Sequence, residues 1–142
     1  MDIGISPGIK GGKIDSIASK SDVHRLMICA LLCDKPVVIK GVSRCADIDA
    51  TTACIRALGA QVDITGRTFT VTPPAGRTNK AHLDCSESGS TLRFLLPVAS
   101  VLCDEASFTG SGRLPQRPIG ELAAAMSTNG ARFSDDRLPF SV

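Results

Sequence analysis

The sequence predicts an α/β chain of the α+β type, built as two consecutive βαβαββ units. Three observations carry this. Short β-branched runs alternate with stretches whose apolar residues recur at three- and four-residue steps. The breaker Pro73-Pro74-Ala75-Gly76 divides the chain near its middle. The punctuation then repeats about seventy residues on, Gly41 by Gly110 and Leu58-Gly59-Ala60 by Asn129-Gly130-Ala131. Repeats are expected at about 13–75 and 80–142, with residues 1–12 as a lead-in joined through Gly11-Gly12.

In the first unit, residues 13–18 alternate loosely and suit a short strand. Ser19 to Leu32 reads as a loop carrying Lys20 and Ser21 that runs into a helix. Val23, Leu26, Met27, Ala30 and Leu31 form its apolar face, and Ser21 or Asp22 caps it. Val37-Val38-Ile39 is a strand ending at Gly41. Asp47 is expected to cap a second helix, with Ile48, Ile55 and Leu58 inward and Gly59 as its stop. Gln61–Ile64 and Thr68–Thr72 make two strands around a tight turn at Gly66.

In the second unit, His82-Leu83-Asp84 is a strand and Cys85 to Gly89 a loop. Leu92, Leu95, Leu96, Ala99 and Leu102 mark an apolar helix, bent at Pro97. Ala106–Thr109 is a strand ending at Gly110. Pro118 suits the first turn of a helix with Ile119, Leu122, Ala123 and Met126 on one face. Residues 131–134 and 138–142 close the unit as strands.

Composition narrows the function classes. Hydrophobic residues make up 43% and charged residues 21% of 142, enough for a core. A formal charge of +2, with five Phe and no Trp or Tyr, argues against a nucleic-acid partner. No apolar run reaches membrane-spanning length, and no signal peptide opens the chain. The six cysteines lack a Cys-x-x-Cys pair and a matching His pair, so no metal site is expected. They read as reduced, buried and cytoplasmic.

The chemistry-bearing residues favour anions. Lys20 and Ser21 stand where a helix begins, beside free backbone amides and the positive end of the helix dipole. Arg25 follows Ser21 by one turn, and Arg93 follows Gly89 in the same way. Gly89 in Ser-Gly-Ser-Thr lets backbone amides approach a ligand with no Cβ between. Arg113 and Arg117 lie in a Gly/Pro-stiffened loop, where a guanidinium fork suits carboxylate or phosphate. Each feature alone equally describes a capped surface helix or a solvated turn. Their register across two repeats brings two helix starts into equivalent positions, both able to face anionic groups. His24 and His82 have no catalytic partner pattern, and Asp135-Asp136 reads as a solvated turn.

Three motifs together resemble a known family. Ser-Lys-Ser-x-x-x-Arg at 19–25, Glu-Ser-Gly-Ser-Thr-Leu-Arg-Phe at 87–94 and Arg-Leu-x-x-Arg-Pro-Ile-Gly at 113–120 look like EPSP synthases, the 3-phosphoshikimate 1-carboxyvinyltransferases. The resemblance runs in register over residues 13–142. It implies the enolpyruvyl-transferase domain, an inside-out α/β barrel, here incomplete. It implies transfer of the enolpyruvyl group of phosphoenolpyruvate to the 5-hydroxyl of shikimate 3-phosphate, without cofactor. By motif position Lys20 would touch both substrates, Ser21 and Arg25 the shikimate phosphate, and Gly89 and Arg117 phosphoenolpyruvate.

The sister family that acts on UDP-N-acetylglucosamine is the alternative. It usually has Lys-Asn where this chain has Lys20-Ser21, and a reactive cysteine in a loop that here, Gly110 to Gln116, has none. A non-catalytic anion-binding module is the reading from outside the enzymes. Complete family members have two domains of three units each, so the chain reads as a fragment. Its acid-base residues would lie beyond Val142, its partner would be the remainder of the enzyme, and it would be inactive alone.

Overall fold

A computed structural model describes residues 3, 4, 8, 11–14 and 16–142. The expected lead-in over 1–12 falls mostly outside the described residues. From Lys20 onward the chain alternates helix and strand. The order is α1 (Lys20–Leu31), β1 (Val37–Ile39), α2 (Ala46–Ala57), β2 (Gln61–Thr65) and β3 (Thr68–Thr72), then β4 (Thr78–Asp84), α3 (Gly89–Leu102), β5 (Cys103–Thr109), α4 (Gly120–Thr128) and β6 (Phe140–Ser141). A 3-10 turn at Leu114–Gln116 precedes α4.

The repeat is visible in the way the elements end. Gly59 and Gly130 both take positive φ, +93° and +98°. After each, the next amide reaches back into the helix, Ala60 to the Ile55 carbonyl and Ala131 to Met126, both at 3.1 Å. That is the same left-handed glycine stop used twice. The helix starts also correspond: Ser19 caps α1 through the Asp22 amide, and Ser88 caps α3 through the Thr91 amide. The cap of α1 is therefore Ser19, not Ser21 or Asp22, because the helix begins one residue before Ser21. Likewise Cys45 precedes α2 without a side-chain cap. Asp47 sits in its first turn and is free to bind elsewhere.

Two sheets flank the helices. In one the order is β1-β3-β2, all antiparallel; in the other it is β4-β5-β6, with β4 and β5 parallel. No strand forms among described residues 13, 14 and 16–18. Ile14 and Ile17 are three apart, so they cannot share one strand face, and both are exposed. The strand expected over 131–134 is reduced to pairing at Ser134, whose amide donates to the Ser141 carbonyl at 3.0 Å. Its partner β6 is only two residues long.

Helices α1, α2 and α3 pack on one another and against both sheets. Met27, Ile48, Ile55, Leu58, Phe69, Leu83, Leu92, Leu95, Leu96 and Phe108 are fully enclosed. α3 is apolar on most of its circumference, as a central helix should be, and it continues through Pro97. Leu26 was expected inward but is half exposed, and Ile28 takes its place in the core. The helix expected from Pro118 starts later, at Gly120, because Ile119, at φ −119°, serves as its N-cap outside the helix. Only Cys54, Cys85 and Cys103 are buried; Cys29, Cys33 and Cys45 are exposed, and all six are free thiols.

Candidate functional site

The starts of α1, α2 and α3 and the 3-10 turn converge on one cleft of about 420 Å³. Lys20, Asp47, Glu87, Gly89, Ser90, Arg93, Phe94 and Arg117 line it. Each arrives there for a local reason. Ser88 caps α3 by accepting the Thr91 amide at 3.2 Å, which leaves the amides of Gly89, buried, and Ser90, half-buried, without intrahelical partners at the cleft. Arg93, one turn on, donates to the Gly89 carbonyl at 3.3 Å and to the Pro118 carbonyl at 3.1 Å. It thereby ties the segment carrying Arg117 to the start of α3. Leu114, fully buried in the 3-10 turn, anchors the other side of that segment.

What sets Gly89 apart is the close approach of two side chains rather than its backbone conformation. A Cβ there would meet Arg93 Nη1 at 2.6 Å and Arg117 Nη1 at 3.0 Å. Two guanidinium groups therefore close directly over a helix start. Lys20 adds a third cation and pairs with Asp47 at 2.5 Å. That hydrogen bond, then the Asp47 charge, holds the Lys20 ammonium above its ordinary pKa, so it is charged throughout the neutral range. Gly112, at φ +55°, packs so closely on the Glu87 side chain that no Cβ fits between them.

Of the residues expected from sequence, Lys20, Gly89 and Arg117 line this cleft, and Ser21 and Arg25 do not. Both of the latter are exposed on the outer side of α1. Arg25 donates to the Ser21 carbonyl at 3.3 Å and lies 5.4 Å from the ring centre of Phe94, which does line the cleft. They stand next to it rather than in it. Arg93, Glu87, Ser90, Phe94 and Asp47 were not among the expected site residues. The i,i+4 spacing of Gly89 and Arg93 is the available signal; Asp47 is hidden in the sequence because it equally suits a helix cap, a role the structure does not give it.

Beneath the cleft runs a buried polar chain. His24 Nδ1 lies 2.7 Å from Thr51 Oγ1, which lies 2.7 Å from Thr91 Oγ1, which donates to Ser88 Oγ at 2.7 Å. Burial pushes the His24 pKa down. Among the described residues no cluster of His, Cys, Asp and Glu suits a metal ion, and no helix is long and apolar enough to cross a membrane.

Comparison with known proteins bears on the family and the fold. The family profile described as EPSP synthase (3-phosphoshikimate 1-carboxyvinyltransferase) matches residues 9–138. The 3-phosphoshikimate 1-carboxyvinyltransferase of Clostridium kluyveri is 36% identical over 121 residues, covering 82% of this chain and 28% of that protein. Its counterpart in Clostridium novyi is 34% identical, covering 99% of this chain and 35% of that protein. The EPSP synthase structure from Acinetobacter baumannii superposes with a TM-score of 0.78 at 22% identity, over 92% of this chain and 32% of that one. The chain thus spans about a third of the length of these relatives. With the profile matching residues 9–138, most of the chain, and with the fold shared, this chain belongs to the EPSP synthase family.

Proposed function

We propose that this chain carries the phosphoenolpyruvate-binding half of an enolpyruvyl transfer site, with shikimate 3-phosphate as the acceptor. The observation that carries the reading is the convergence of Arg93 and Arg117 on Gly89 at the start of α3. Phosphoenolpyruvate presents a phosphate and a carboxylate on a three-carbon frame. Two guanidinium forks and a row of free amides match those groups, each charge-assisted bond contributing about 1.5–3 kcal/mol. Lys20 stands between this pocket and the Ser21–Arg25 side of α1, where the phosphate of shikimate 3-phosphate would sit.

Transfer needs a proton delivered to the enol carbon and one removed from the attacking hydroxyl. Lys20 is held charged by Asp47, and neither it nor the arginines can serve as a base at neutral pH. The cations of the cleft therefore bind and orient substrate rather than remove its proton. Reduced, cytoplasmic and cofactor-free operation belongs to the same proposal.

An amide-resolved NMR titration of the chain with phosphoenolpyruvate, and separately with shikimate 3-phosphate, tests it. Phosphoenolpyruvate is expected to shift Gly89, Ser90, Arg93 and Arg117, and shikimate 3-phosphate to shift Lys20, Ser21 and Arg25. A folded sample with no shifts, or with shifts elsewhere, contradicts the reading.

A further inference from the structure

We propose that His24 is a positioning residue: as a neutral imidazole protonated on Nδ1, it feeds a one-way hydroxyl relay that fixes the start of α3. The direction follows from counting protons. Thr91 Oγ1 has one proton and two acceptors, Ser88 Oγ at 2.7 Å and the Asp47 carbonyl at 3.4 Å. With that proton spent, Thr91 Oγ1 accepts from Thr51 Oγ1, and Thr51 Oγ1 in turn accepts from His24 Nδ1–H. Ser88 Oγ is left accepting from both the Thr91 hydroxyl and the Thr91 amide.

The opposite polarity would put the proton on His24 Nε2. That atom is buried and has no hydrogen-bond partner. Either polarity leaves one buried donor unpaired, the Ser88 hydroxyl or a His24 Nε2–H, and the geometry of the Thr91–Ser88 contact, in which Thr91 Oγ1 is the donor, selects the forward direction. A doubly protonated ring would add an uncompensated charge to the same place. The charged groups that bear on it are Asp47 from α2, which favours protonation, and Lys20 and Arg25 from its own helix, which oppose it. α3 presents hydroxyls.

The consequence is mechanical. The relay crosses from α1 through α2 to α3 and ends on the cap whose amide partner sets the first turn around Gly89. It holds three helix starts in one arrangement without a charge beneath the anion cleft. The relay stands on its own geometry; only its value to a ligand rests on the proposed function.

Long-range proton–nitrogen NMR of the ring tests the direction in the unaltered chain, with the His24 signals assigned by their loss in His24→Asn. The expected spectrum shows Nδ1 protonated and Nε2 bare, unchanged as pH falls through the ordinary histidine value of 6.5. A protonated Nε2, or a ring that titrates there, overturns the relay. Amide exchange of Thr91 tests the positioning. His24→Leu and Thr51→Val should speed it about fivefold, while His24→Asn, which keeps a donor, should restore it. Equal exchange in His24→Leu and the unaltered chain overturns the positioning role. Inorganic phosphate then separates the two claims: a chain that does not bind it contradicts the anion site, while ring state and exchange still judge the relay.

Discussion

At the residue scale, Gly89 and Gly112 make opposite demands. A Cβ at Gly89 collides only with the far ends of two arginine side chains, which can swing away. Gly89→Ala should therefore leave stability within about 0.5 kcal/mol, yet cut phosphoenolpyruvate affinity at least about tenfold by displacing both forks. Denaturant melts beside calorimetric titration would show the split. At Gly112 the obstacle is Glu87 and φ is +55°, so Gly112→Ala strains the backbone and moves a carboxylate of the cleft. It should destabilise by about 1 kcal/mol or more in the same melts. His24 gives a pH dependence. Its folded-state pKa lies below the unfolded value, so the unfolded chain binds more protons as pH falls through about 6.5 and stability drops on that acid side. His24→Asn should remove this component, read as a flatter melting temperature between about pH 7 and 5.

At the element scale, the caps explain both what the sequence revealed and what it concealed. The glycine stops at Gly59 and Gly130 were legible because only one backbone conformation uses them, and the structure places both at positive φ. The starts were shifted by two or three residues, since Ser19, Ser21, Asp22 and Asp47 all suit a cap chemically. Only packing chooses among them. Asp47 is drawn to Lys20 across the α1–α2 junction, a contact between residues far apart in the chain that no local pattern encodes. Arg93 escaped for a similar reason: its spacing from Gly89 was visible, but its reach to the Pro118 carbonyl depends on where the 3-10 turn docks. The strand expected over 13–18 shows the limit of weak alternation. The two serine caps are not equal. Ser88 is buried and also receives the Thr91 hydroxyl, while Ser19 is exposed with a 3.4 Å contact. Ser88→Ala should cost about 1–2 kcal/mol and Ser19→Ala about 0.5 kcal/mol or less, measured by chemical denaturation.

At the scale of the whole molecule, a short chain has used repetition to bring distant motifs together. The two units place α1 and α3 in equivalent settings, so that their N-termini, each capped by serine, open near the same cleft. The core that supports this is continuous across both units, from Met27 and Phe69 in the first to Leu95 and Phe108 in the second. Leu95→Ala should therefore weaken the whole chain by about 2–5 kcal/mol rather than one unit alone, and both units should melt together in amide exchange. The relatives are about three times longer, and the arginines and amides gathered here are suited to holding an anionic substrate rather than to moving its protons.

The central claim is that Arg117 and Arg93 form a phosphoenolpyruvate clamp over Gly89. Calorimetric titration of phosphoenolpyruvate into the chain and into Arg117→Ala tests it most directly. The account predicts saturable binding that weakens at least about tenfold on losing one charge-assisted contact. Equal affinity in the two, or no binding to the folded chain, would contradict it.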